Sequence, residues 1–91
     1  MSATINLPTI LRTHAGGSRT IQGTGTTVAE VFSDLSRTYP KLGEQLASPD
    51  GGLPVFMNVF VDDEDIRYLD GLDTAVDDRS EITILPAVAG G

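Results

Sequence analysis

Thr27-Val28-Ala29-Glu30-Val31-Phe32-Ser33-Asp34-Leu35-Ser36-Arg37-Thr38-Tyr39-Pro40 is the stretch from which the fold can be read. Val28, Val31, Phe32, Leu35 and Tyr39 recur at helical spacing and make one apolar stripe. Glu30, Ser33, Asp34, Ser36 and Arg37 take the other side. Thr27 with Glu30 three residues later fits a capping box, in which hydroxyl and carboxylate satisfy N–H groups that the first turn leaves free. Pro40 disfavours helical geometry at the residue before it and ends the helix at Tyr39. The spacing predicts one helix with a core-facing stripe.

Upstream, residues 3–8 alternate, with Ala3, Ile5 and Leu7 on one side and Thr4, Asn6 and Pro8 on the other, the pattern of a half-buried strand. Ile10 to Ser18 reads as a loop turning at Gly16-Gly17, and Arg19 to Gln22 as a short returning strand. His14 falls in that loop with no second ligand near it, so it reads as solvated. Gly23-Thr24-Gly25 precedes the helix, but the third glycine of a phosphate-binding turn is missing and the chain has no room for a βαβ pair. It reads as a flexible turn into the helix.

Downstream, Lys41 to Ala47 predicts a further helical turn with Leu42 and Leu46 inward, and Ser48 to Gly52 a loop. Phe56 to Val61 is the strongest strand: Met57, Val59 and Val61 face the core, and Phe56, Asn58 and Phe60 share the other face. Asp62-Asp63-Glu64-Asp65 lacks the alternate ligand spacing and the glycine of a calcium loop. It reads as a solvated hairpin turn before a short strand at Ile66-Arg67-Tyr68. Glu81 to Leu85 is the last strand, Ile82 and Ile84 inward, Thr83 and Leu85 outward.

This order predicts an α+β roll, a mixed sheet of four to five strands packed on one main helix. With the first and last strands parallel in the centre and the third antiparallel to the last, Phe56 falls near Leu85. Phe56, Phe60, Leu85 and Pro86 then make a candidate docking patch. Beyond residues 1–86, the segment 87–91, Ala87-Val88-Ala89-Gly90-Gly91, has no charge, ring or hydrogen-bonding side chain and reads as a flexible arm. A Gly-Gly end is slim and conformationally free, so it can enter a narrow tunnel and present the Gly91 carboxylate to a buried active site.

Composition limits the rest. Ninety-one residues make one domain, too small for an enzyme with a deep cleft. There is no cysteine, so disulfides and thiolate metal sites are excluded. A formal net charge of −7 argues against nucleic acid and anionic membranes, which need clustered Lys and Arg. No run is long and apolar enough for a membrane span, and the N-terminus lacks the basic and apolar blocks of a signal peptide. A cytoplasmic protein is expected. No acid–base pair or activated nucleophile stands out, so no catalytic residue is expected.

The element order, the length and the terminal Gly-Gly resemble the ubiquitin-like β-grasp sulfur carriers of the ThiS/MoaD family. Leu7 to Arg12, Asn58 to Arg67 and above all Ile84-Leu85-Pro86-Ala87-Val88-Ala89-Gly90-Gly91 look closest to its CysO-type branch. The resemblance implies that an ATP-dependent, ubiquitin-activator-like sulfurtransferase adenylates Gly91. Sulfur then displaces AMP and leaves a thiocarboxylate, while Gly90, Ala89, Val88 and Ala87 give clearance. The CysO branch implies two further partners, a PLP-dependent cysteine synthase using O-phosphoserine and a zinc metallopeptidase that releases cysteine. ATP, PLP and zinc would belong to those enzymes and not to this chain. The same fold and tail also serve carriers for molybdopterin and thiazole, and protein modifiers joined through Gly91 to lysine.

Overall fold

The computed structural model describes residues 2–46 and 57–86. Among these residues five strands form one sheet: β1 (Ser2–Asn6), β2 (Thr20–Thr24), β3 (Met57–Val61), β4 (Glu64–Asp65) and β5 (Glu81–Pro86). Their spatial order is β2-β1-β5-β3-β4. β1 and β5 run parallel at the centre, and the β1–β2, β3–β5 and β3–β4 pairs are antiparallel. Three helices join them: α1 (Thr9–Arg12), α2 (Val28–Thr38) and α3 (Pro40–Leu46). The predicted arrangement, first and last strands side by side in the middle, is the one found.

The alternating strand pattern decides which face is covered. Ala3, Ile5, Met57, Val59, Val61, Ile82 and Ile84 are buried on one side of the sheet. Val28, Val31, Phe32 and Leu35 of α2 meet them, as the helical stripe predicts. Tyr39, at the end of that stripe, packs against the core while partly exposed. Each fully buried side chain of this size contributes about 2 kcal/mol through removal of apolar surface from water. The start of α2 is pinned twice. Thr27 Oγ1 accepts from the Glu30 N–H at 3.2 Å, and Glu30 Oε1 accepts from the Thr26 N–H at 2.8 Å and its hydroxyl at 2.9 Å. The Val28 N–H also donates to the Thr74 carbonyl at 3.1 Å, which ties the helix to the segment ahead of β5.

Among the described glycines three sit where a Cβ would collide, and at Gly25 it would stand 2.6 Å from the Glu30 Cβ and 2.8 Å from the Val31 N. Gly23 is buried in β2, and a Cβ there would meet Val31 Cγ1 at 2.6 Å and Ile5 Cδ1 at 3.1 Å. Gly43 lies in α3 where that helix crosses α2, and a Cβ would stand 2.7 Å from the Ser36 Cα. Gly23 and Thr24 therefore belong to the strand, where a flexible turn was expected. The missing side chain lets α2 settle on the sheet.

Two further expectations are corrected. Much of Ile10 to Ser18, read as loop, belongs instead to α1 and to a 3₁₀ turn at Thr13–Ala15 that follows it. Leu11 and Ala15, four apart, bury one face of it. His14 lies half-buried on that turn. Ile66–Tyr68, read as a strand, is a 3₁₀ turn started by Asp65, whose carboxylate accepts from the Arg67 N–H at 2.9 Å. The strand is instead β4, because Asp62 and Asp63 take φ of 51° and 72° and reverse the chain in two residues. The acidic run is thus divided. Asp62 accepts from the Glu81 N–H at 3.0 Å, Asp63 stays exposed in the turn, and Glu64 and Asp65 form the strand.

Candidate functional site

β5 is the strand from which the chain's end departs, and both its sides are occupied. Thr83 stands beside Asn6 of β1, and Pro86 is paired with Met57 of β3. A segment following Pro86 therefore starts from the rigid centre of the sheet. Ala87, Val88, Ala89, Gly90 and Gly91 lie outside the described residues, as does Phe56, the predicted neighbour of Leu85.

Of the other predicted patch residues, Leu85 and Phe60 lie on the uncovered face, whereas Pro86, paired with the buried Met57, falls on the helix-covered side of β5. Leu85 is 46% exposed, and Phe60 and Pro86 are half-buried. Phe60 pairs with Thr83 and Asn58 with Leu85, so Phe60 and Leu85 are diagonal neighbours on that face. Arg67 organises its border. Its guanidinium donates to Asn58 Oδ1 at 2.6 Å and to Asp65 Oδ2 at 2.8 Å. These hydrogen bonds hold the Asp65 carboxyl below the usual carboxylate range, and the same pairing raises Arg67.

Sequence reading missed the other wall. Asn6 to Ile10 and Arg12 face Thr83 to Pro86 across an open groove of about 470 Å³. Ile10, 58% exposed, stands opposite the strand end that carries the exposed Leu85. Arg12 is the cation of this groove, and its Nε–H donates to the Leu7 carbonyl at 3.2 Å. An isoleucine two residues after Pro8 was the available signal, but it gained meaning only once α1 was placed beside β5. The groove offers apolar contact and one positive charge, with no nucleophile and base. Among the described residues no cluster of His, Cys, Asp or Glu could hold a metal ion. None of the described helices is long and apolar enough to cross a membrane.

A sheet of this topology, ending beside an apolar groove, is the frame on which the comparisons bear. The ThiS family model matches residues 5–91. The chain belongs to the ThiS family. The sulfur carrier protein CysO of Mycobacterium tuberculosis is 46% identical over the full length of both chains. Among solved structures, the Amycolatopsis orientalis BexX/CysO complex contains a chain matching at a TM-score of 0.88 and 43% identity, covering 98% of this chain and 99% of that one. Small archaeal modifier protein 3 of Haloferax volcanii is 35% identical across 71% of this chain and 70% of its own. The likenesses to the ThiS family and to CysO agree with the β-grasp roll and with a sulfur carrier rather than an enzyme.

Proposed function

We propose that this ThiS-family sulfur carrier works through the carboxylate of Gly91, which is adenylated, exchanged for a thiocarboxylate and used to donate sulfur for cysteine synthesis. The full-length likeness to a sulfur carrier protein named CysO supports this reading most strongly. Chemistry explains the division of labour. A carboxylate is a weak electrophile, so an ATP-dependent partner must first join it to AMP. Displacement of AMP by sulfur then leaves a strong nucleophile on a residue without a side chain. Gly90 and Ala87 to Ala89 supply a narrow stem, and the chain needs no cofactor of its own.

In this reading the activating enzyme docks on Leu85, Phe60, Pro86 and Phe56, with Ile10 and Arg12 forming the opposite bank. The sulfur passes to a PLP-dependent cysteine synthase using O-phosphoserine, and a zinc metallopeptidase releases the product, all in the cytoplasm. ATP–pyrophosphate exchange with the adenylating enzyme of the same host tests the activation step. Exchange should require the intact chain and vanish without Gly91. Exchange that is unchanged by removal of Gly91 would overturn the assignment. The likeness to an archaeal modifier protein favours one second reading, transfer of activated Gly91 to lysines of other proteins. Isopeptide-linked Gly91 in place of a thiocarboxylate would mark that outcome.

A further inference from the structure

The two edges of the sheet are built differently. β4 closes one edge with only two residues, both acidic, between a tight turn and a 3₁₀ turn. Short charged edges resist pairing with other chains. β2 closes the other with five residues, and Thr20, Gln22 and Thr24 present exposed, uncharged side chains. It has no lysine, proline or bulge to discourage an added strand.

The hydrogen-bond phase shows which backbone groups this edge offers. The Leu7 N–H donates to the Arg19 carbonyl at 2.8 Å, and in the same register Ile5 faces Ile21 and Ala3 faces Gly23. Bonded and non-bonded pairs alternate along an antiparallel ladder. Arg19, Ile21 and Gly23 therefore turn their backbone groups to β1, and Thr20, Gln22 and Thr24 turn theirs outward. The Thr24 N–H is taken by Asp34 Oδ2 at 2.9 Å. Among the described residues, the N–H and C=O groups of Thr20 and Gln22 have no protein partner. Arg19 flanks this edge at one end, and Asp34, whose carboxylate also meets the Arg37 guanidinium at 3.4 Å, flanks it at the other.

We propose that the β2 edge receives an extended segment of a partner protein, added as a sixth strand, with a basic side chain at the Asp34 end. Two free donors and two free acceptors in strand phase specify an extended backbone, and the flanking charges specify polarity. Self-pairing of two copies is opposed by the net charge of −7 on each. The site is separate from the Leu85 groove. β2 lies two strand spacings from β5, about 10 Å. The inference does not depend on the chemistry assigned to Gly91.

The test is a titration of the ¹⁵N-labelled full chain with a short peptide of alternating valine and threonine carrying one terminal lysine. Saturable downfield shifts of the Thr20 and Gln22 amide protons are expected, with their hydrogen exchange slowed at least about tenfold. A peptide N-methylated at alternate bonds loses the matching donors and should bind at least about tenfold more weakly. Absence of saturable shifts at Thr20 and Gln22, or equal binding of the methylated peptide, would overturn the proposal. So would concentration-dependent shifts without peptide, joined to a dimer in sedimentation, which would give the edge to a second copy.

Discussion

Asn58 stands directly across from Leu85 in the β3–β5 pair, and the Arg67 guanidinium grips its side-chain carbonyl at 2.6 Å. The polar partner of the exposed leucine is thus held in place while the leucine itself stays uncovered. Leu85→Asp should therefore cost little stability, within about 1 kcal/mol for a half-exposed site. It should weaken docking of the adenylating enzyme at least about tenfold, as expected when a charge enters an apolar contact. Loading kinetics measured beside a thermal melt separate the two effects. Unchanged kinetics would remove Leu85 from the interface.

Gly23 of β2 packs closely against Val31 of α2. Gly23→Ala would place a methyl 2.6 Å from Val31 Cγ1, a stiff branched side chain that is fully buried. Overpacking of this kind costs about 1–3 kcal/mol. For a domain of this size each kcal/mol lowers Tm by about 4–8 °C. In the double variant with Val31→Ala, the combined loss should be smaller than the sum of the single losses. Strict additivity would show that the clash is not where the destabilisation arises.

Glu30 links the capping box to pH. The Thr26 N–H and then its hydroxyl hold the Glu30 carboxyl below the usual carboxylate range. A carboxylate lowered on folding stabilises the native state above its unfolded pKa, about 4.3. That contribution fades as pH falls through the lower folded value. Glu30→Gln should thus reduce Tm near neutrality, and the gap to the parent should narrow as the melts are taken down toward pH 2. A gap of constant size across that range would contradict the linkage.

Much of this fold is legible in the sequence because periodicity and burial agree. The stripe Val28, Val31, Phe32, Leu35 and the alternations at Ala3-Ile5 and Ile82-Ile84 each face the core they predict. What escapes is short and locally ambiguous. Thr9 to Ala15 contains one helical turn and a 3₁₀ turn, too brief to show a period beyond the Leu11–Ala15 spacing. Gly23 looks like a turn residue, since its reason is a helix packed on it from elsewhere in the chain. Ile66-Arg67-Tyr68 has strand composition, but the Asp65 carboxylate captures the Arg67 N–H and curls the segment. At the site, Leu85 and Phe60 follow from strand alternation, which turns Pro86 to the other side of the sheet. Ile10 and Arg12 do not, because only the parallel pairing of β1 with β5 brings α1 beside them.

Deletion of Gly91 separates the chain's end from its fold. Among the described residues the buried apolar core runs from Ala3 to Ile84, and Gly91 has no side chain to bury. Tm should therefore remain within about 1 °C of the parent, the scale expected when no core contact is lost. A larger fall would show that the end of the chain supports the fold.

Intact mass spectrometry of the chain from its own host, trapped at lysis with a thioacid-reactive electrophile, tests the central claim most directly. The account predicts that part of the population carries the trap on its C-terminal peptide, through one sulfur in place of one carboxylate oxygen of Gly91. Omission of the trap should leave that peptide heavier by the sulfur–oxygen difference alone. A C-terminal peptide found only as the plain carboxylate in the trapped sample, or only in isopeptide linkage to lysines, would contradict it.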